Sequence, residues 1–118
     1  MLPRRLKQAR LRLGVSQEKL GLLIGIDAAS ASARMNQYER GKHTPDFSLV
    51  RRLAPVLGLP VPWFYTDDED TALLLACFER LHPSDRVIVL RTAQRLLPPG
   101  LILDDGVFAR LRPGPPAP

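Results

Sequence analysis

Apolar residues recur along this chain at intervals of three and four and almost never alternate, a pattern that predicts helices rather than strands. Leu6, Ala9 and Leu13 form a first apolar stripe, and Gly14 is placed to end that helix with a positive φ. Ser16 is suited to cap a second short helix, with Glu18 in its first turn. Leu20, Leu23 and Ile24 give its buried face, and Gly25 ends it. Asp27 heads a third helix, from about Ala28 to Glu39, with Ala31, Met35 and Tyr38 inward and Gly41 as its stop. Thr44-Pro45-Asp46 reads as a helix start with proline at the first helical position. That fourth helix is expected to bury Phe47, Val50, Leu53 and Leu57 before Gly58, with Pro55 kinking or shortening its last turn. A fifth, short helix around residues 62–65 would carry Trp63 into the core.

The pattern then breaks. Thr66 to Asp70 holds four consecutive acids and marks the expected domain boundary. Ala72, Leu73, Ala76, Cys77 and Leu81 predict a sixth helix, interrupted by Pro83, and Ser84 or Asp85 can start a seventh running to about Leu97. Asp105-Gly106, between two apolar stretches, is a weak hairpin signal. The last residues, 113–118, are Pro-rich and read as disordered. The fold expected is all-α: a five-helix domain over 1–65, an acidic linker over 66–70, a helical segment over 71–111 and a tail over 112–118.

Charge sharpens this division. Residues 1–65 carry eleven Lys or Arg against four acids, a net of +7, whereas residues 66–118 carry six Arg against eight acids, a net of −2. A polyanionic partner for the first half is the functional reading, and a solubilising surface is the plain alternative. Cys77 is the single cysteine, so no intramolecular disulfide forms, and with His43 and His82 it makes no metal set. No apolar h-region follows the basic start, and no apolar run is long enough to span a bilayer, so a cytoplasmic protein with no membrane partner is expected. No Gly-rich phosphate loop or triad spacing is present, so neither an enzyme nor a bound cofactor is expected.

The third helix is the most informative segment. At about 100° per residue, Ser30, Ala33, Asn36, Gln37 and Arg40 point away from the Ala31-Met35-Tyr38 stripe, with Ser32 and Arg34 on the flanks. That face holds no acid and no large apolar residue. It offers two amides suited to adenine edges, small residues that allow close approach, and arginines suited to guanine or phosphate. Taken alone, Asn36 and Gln37 could equally be plain exposed polar residues.

Ordered blocks around this helix change that balance. Leu6-Lys7-Gln8-Ala9-Arg10, Leu13-Gly14-Val15-Ser16-Gln17-Glu18-Lys19-Leu20, Tyr38-Glu39-Arg40-Gly41-Lys42 with Pro45, and Leu53-Ala54 with Val56-Leu57-Gly58-Leu59 and Trp63-Phe64 together resemble the Cro/CI-type (XRE-like) helix-turn-helix regulators. The resemblance covers about residues 2–65. It implies a sequence-specific DNA-binding regulator, most often a repressor, working as a homodimer on palindromic double-stranded DNA. A toxin or other protein partner is the alternative the same fold allows, as in antitoxins. The segment 70–111 looks too short for a deep effector pocket. By resemblance, Gln17 bonds a backbone phosphate, Glu39 closes the third helix structurally, and Arg40, Lys42 and His43 approach phosphates. Arg10 is expected either to approach a phosphate or to make a local ion pair. The interval from Gln17 to Glu39 is about four residues longer than the family's usual one. The surplus either lengthens the third helix by one turn or lengthens the turn before it.

Overall fold

The computed structural model describes residues 1–99, and every regular element among them is helical. The order is α1 (Pro3–Leu13), α2 (Gln17–Leu23), α3 (Ala28–Glu39), α4 (Phe47–Leu57), a 3₁₀ turn (Val61–Tyr65), α5 (Glu69–Arg80) and α6 (Pro83–Leu96). The hairpin signal at Asp105-Gly106 and the Pro-rich tail lie outside the described residues. No helix among the described residues is long and apolar enough to cross a membrane.

Local signals set most boundaries. Gly14 adopts φ 80° and its N–H bonds the carbonyls of Arg10 and Leu11, closing α1. The Ser16 hydroxyl accepts from the Lys19 N–H at 3.0 Å and starts α2. Asp46 caps α4: its carboxylate accepts from the Leu49 N–H at 2.8 Å. Pro45 therefore lies outside the helix it was expected to begin. Asp27 occupies the cap position of α3 without a side-chain capping bond. Pro55 does not end α4, which continues to Leu57. Pro55 and Arg51 are both exposed, so the carbonyl that loses its helical partner can be solvated.

One core joins α1 to α5. Leu6, Leu20, Ala31, Met35, Val50, Leu53 and Phe64 are fully buried, and Trp63 meets Phe64 edge to face with centroids 5.1 Å apart. Leu13, Leu23 and Phe47 were expected in this core and are exposed instead. Leu13 and Leu23 are the last residues of their helices and Phe47 is the first of its own, so each projects beyond the packed layer.

The α2–α3 pair is the tightest junction. A Cβ built on Gly21 would stand 2.7 Å from the Ala31 Cβ, so the two helices can meet at this distance only with hydrogen at position 21. The connecting turn spans only residues 24–27. Its Ile24 and Ile26 are buried, and Arg52 donates to the Ile24 carbonyl at 3.0 Å. The surplus residues therefore lie in α3, which has 12 residues.

The acidic segment is not a free spacer. Arg5, 1% exposed, lies over Trp63 with its guanidinium carbon 5.1 Å from the ring centroid. It donates to the Thr66 carbonyl at 2.9 Å, to Gln8 at 3.1 Å and to the Glu69 carboxylate at 3.2 Å. Arg4 pairs with Asp67 and Glu69. Glu69 starts α5, and Ala72 of that helix is buried in the core with Ala76 packed against it. The first compact unit runs Met1–Glu79, and within it Arg4 and Arg5 of α1 pair with Asp67 and Glu69 at the start of α5. The second unit begins at Arg80 and contains α6. Pro83 takes the first position of α6, and the His82 ring caps it by accepting from the Ser84 N–H. No residue of α6 is buried.

Candidate nucleic-acid interface

The inward stripe of α3 fixes what faces out. With Ala31, Met35 and Tyr38 buried, Ser32, Ala33, Arg34 and Arg40 are exposed, and Ser30, Asn36 and Gln37 are half-buried. Ser30 hydrogen-bonds weakly to Asp27 at 3.4 Å. Arg34 is held along the helix: it donates to the Tyr38 hydroxyl at 2.9 Å and lies 5.9 Å from that ring's centroid. Beyond Gly41, which has φ 74°, Lys42 and His43 are exposed. Their backbone N–H groups both bond the Gln37 carbonyl, at 3.0 and 3.4 Å, so this loop is folded back on the end of α3.

The acid at the end of α3 is removed from the outward face. Glu39, whose side chain is 3% exposed, accepts from Arg10 Nε at 2.6 Å and from Nη2 at 3.0 Å. Arg10 also donates to the Val15 carbonyl at 3.0 Å. Hydrogen bonding to Glu39 holds the Arg10 guanidinium above its ordinary pKa, outweighing the opposing effect of burial. Of its two expected roles, Arg10 takes the ion pair. Glu39 closes α3 from inside.

Beside this pair lies a cleft of about 380 Å³ lined by Lys7, Arg10, Ser16, Gln17, Asn36, Glu39 and Arg40. Gln17 donates to the Asn36 side-chain oxygen at 3.3 Å, joining the start of α2 to the third turn of α3. Lys7 and Arg40 are exposed and take part in no ion pair among the described residues. With Arg10 and Glu39 cancelling, the cleft carries two free positive charges. Sequence reasoning had not placed Lys7 and Ser16 here. The signal for Lys7 was available, since it precedes Arg10 by three residues and so shares its face of α1.

The outward face of α3, this cleft and the Lys42-His43 loop together offer hydrogen-bonding groups on a helix between cationic groups. The helix-turn-helix family model matches residues 6–64, half of the chain. HTH-type transcriptional regulators of Sinorhizobium medicae (strain WSM419) and Rhizobium meliloti (strain 1021) are each 33% identical over 63 residues. These matches take in 53% of this chain and 42% of each relative, so the chain spans less than half the length of these curated relatives. Among solved structures, the transcriptional regulator BswR superposes with a TM-score of 0.77 at 43% identity, over 82% of this chain and 96% of that one. That overlap is broader than the helix-turn-helix match alone. On the matched blocks, the fold and these likenesses, the chain belongs to the XRE-like helix-turn-helix family of transcriptional regulators.

Proposed function

We propose that this protein is a sequence-specific DNA-binding transcriptional regulator, acting as a homodimeric repressor on a palindromic operator and performing no chemistry. The observation that carries the reading is the outward face of α3. Ser32, Ala33, Asn36 and Gln37 present small and amide side chains, and the one acid of that helix is turned inward to Arg10. Such a face fits the major groove, where an amide and small residues contact base edges. Lys7, Gln17, Arg40, Lys42 and His43 are assigned to phosphates, and Arg34, steadied by Tyr38, to a phosphate or guanine at the groove's edge. Ser30 sits at the groove-entering end of the helix. Two copies, with their α3 helices about 34 Å apart, would read the two half-sites of a palindrome.

Selection from a random duplex pool, followed by titration at several salt concentrations, tests this. If a dimer neutralises about 6–10 phosphates, log K falls by about 0.9 per phosphate for each unit of log salt. Absence of binding to any duplex at low salt overturns the reading.

A further inference from the structure

The two outward amides of α3 are not equivalent. Asn36 receives the Gln17 amide hydrogen on its side-chain oxygen, whereas the Gln37 side chain makes no hydrogen bond among the described residues. Reading adenine with an amide requires oxygen and nitrogen to face the same base edge together. Gln37 has both atoms free for this. The Asn36 oxygen is turned toward α2, across the cleft, so its two amide atoms do not face the groove as a pair. Gln17 lines the same cleft as the unpaired charges of Lys7 and Arg40, where the Arg10–Glu39 pair adds no net charge. The ligand chemistry this fits is an oxyanion, here one phosphate group of a nucleic-acid backbone.

We infer that Asn36 is a positioning residue rather than a base reader: it holds Gln17 toward a backbone phosphodiester seated between Lys7 and Arg40, and leaves adenine recognition at this part of α3 to Gln37. The inference rests on the DNA-binding reading and divides its labour. It assigns Lys7 to the same phosphate that Gln17 bonds. Because Gln17 and Asn36 act as one unit, losing either loses the same contact.

The test uses the full chain with Gln17→Ala, Asn36→Ala, the double variant, Gln37→Ala and Lys7→Ala. Each is titrated on the selected operator and on a scrambled duplex, and its base preferences are re-selected from the random pool. All four positions are exposed or half-buried, so melting temperatures close to wild type are expected and are checked first. Gln17→Ala and Asn36→Ala should each weaken both duplexes by about three- to tenfold and leave the preferred sequence unchanged. The double variant should be no more than about twofold weaker than either single one. Gln37→Ala should lose about tenfold or more on the operator alone and relax one base position. A single methylphosphonate substitution, found by scanning the operator backbone, should weaken wild-type binding and weaken Gln17→Ala by clearly less, the remainder being the contacts of Lys7 and Arg40. Lys7→Ala should lower the salt slope by about one phosphate's worth. If Asn36→Ala alters the preferred base while Gln17→Ala does not, or if the two losses multiply, the inference is overturned and the DNA-binding reading stands. If wild-type protein binds no duplex, both fall.

Discussion

Arg10 and Glu39 lock the end of α1 to the end of α3 through two hydrogen bonds, at 2.6 and 3.0 Å, with side chains 12% and 3% exposed. A pair this enclosed is costly to break from one side, because the survivor keeps its charge without its partner. Glu39→Ala or Arg10→Ala should each destabilise the fold by about 3–5 kcal/mol. The double variant should lose less than the sum of the two. Urea unfolding of the three variants checks this. Additive losses would show that each residue acts through other contacts.

The Gly21–Ala31 approach gives a second prediction. Gly21→Ala places a Cβ 2.7 Å from the Ala31 Cβ and 3.0 Å from that residue's backbone, which cannot swing away. The usual helix-propensity gain of about 1 kcal/mol should be outweighed by overpacking of about 1–3 kcal/mol. Adding Ala31→Gly removes the Cβ–Cβ clash but not the backbone contacts at 3.0 Å, and should restore part of the lost melting temperature, less the propensity cost of the new glycine. If Gly21→Ala alone raises the melting temperature, the junction is looser than the geometry states.

Hydrogen bonding to Arg4, then to Arg5, holds the Glu69 carboxylate below its ordinary pKa of 4.5. A lowered folded-state pKa contributes stability above the ordinary value, which is lost as pH falls through the lowered one. Asp68 moves the same way, because it accepts from the Thr71 N–H and hydroxyl. Below about pH 4.5, α5 should therefore loosen from α1, as buried Arg5 loses its carboxylate and keeps only neutral acceptors. Unfolding curves at stepped pH should show a shallower acid slope for Glu69→Gln than for wild type. Equal slopes would remove Glu69 from the acid response.

The sequence made parts of this architecture visible and hid others, for separable reasons. The Ala31-Met35-Tyr38 stripe, the Ser16 cap and the stops at Gly14 and Gly58 were legible because each depends on residues within one or two helical turns. Leu13, Leu23 and Phe47 were misplaced because periodicity gives the direction of a side chain, not whether neighbouring helices extend far enough to cover it. The pairing of Asp67 and Glu69 with Arg4 and Arg5 was not legible, since these partners lie more than sixty residues apart along the chain. At the candidate site, the outward face of α3 was legible from angles alone. The Gln17–Asn36 bond was not, because it joins two helices whose packing distance is set by Gly21.

The last prediction concerns the proposed dimer. On α5, Leu73 and Leu74 are 64% and 54% exposed, while Ala72 on the opposite side is buried. On α6, Val87, Ile88 and Leu96 are 45%, 61% and 79% exposed, and no residue is buried. An isolated 14-residue helix is marginal in water, and leaving this much apolar surface solvated forgoes about 25 cal/mol per Å². A second copy that covers either face would also supply the second α3 for a palindrome. The full chain should scatter light as a dimer at tens of micromolar, and Leu74→Glu or Ile88→Glu should shift it toward monomer. In a monomer these exposed positions would accept glutamate with little loss of stability, so the melting temperature separates loss of the interface from loss of the fold. The same variants should bind an isolated half-site as wild type does and bind the two-half-site operator more weakly. Wild type that scatters as a monomer, or glutamate variants that remain dimeric with full operator affinity, would place the pairing surface elsewhere or remove it.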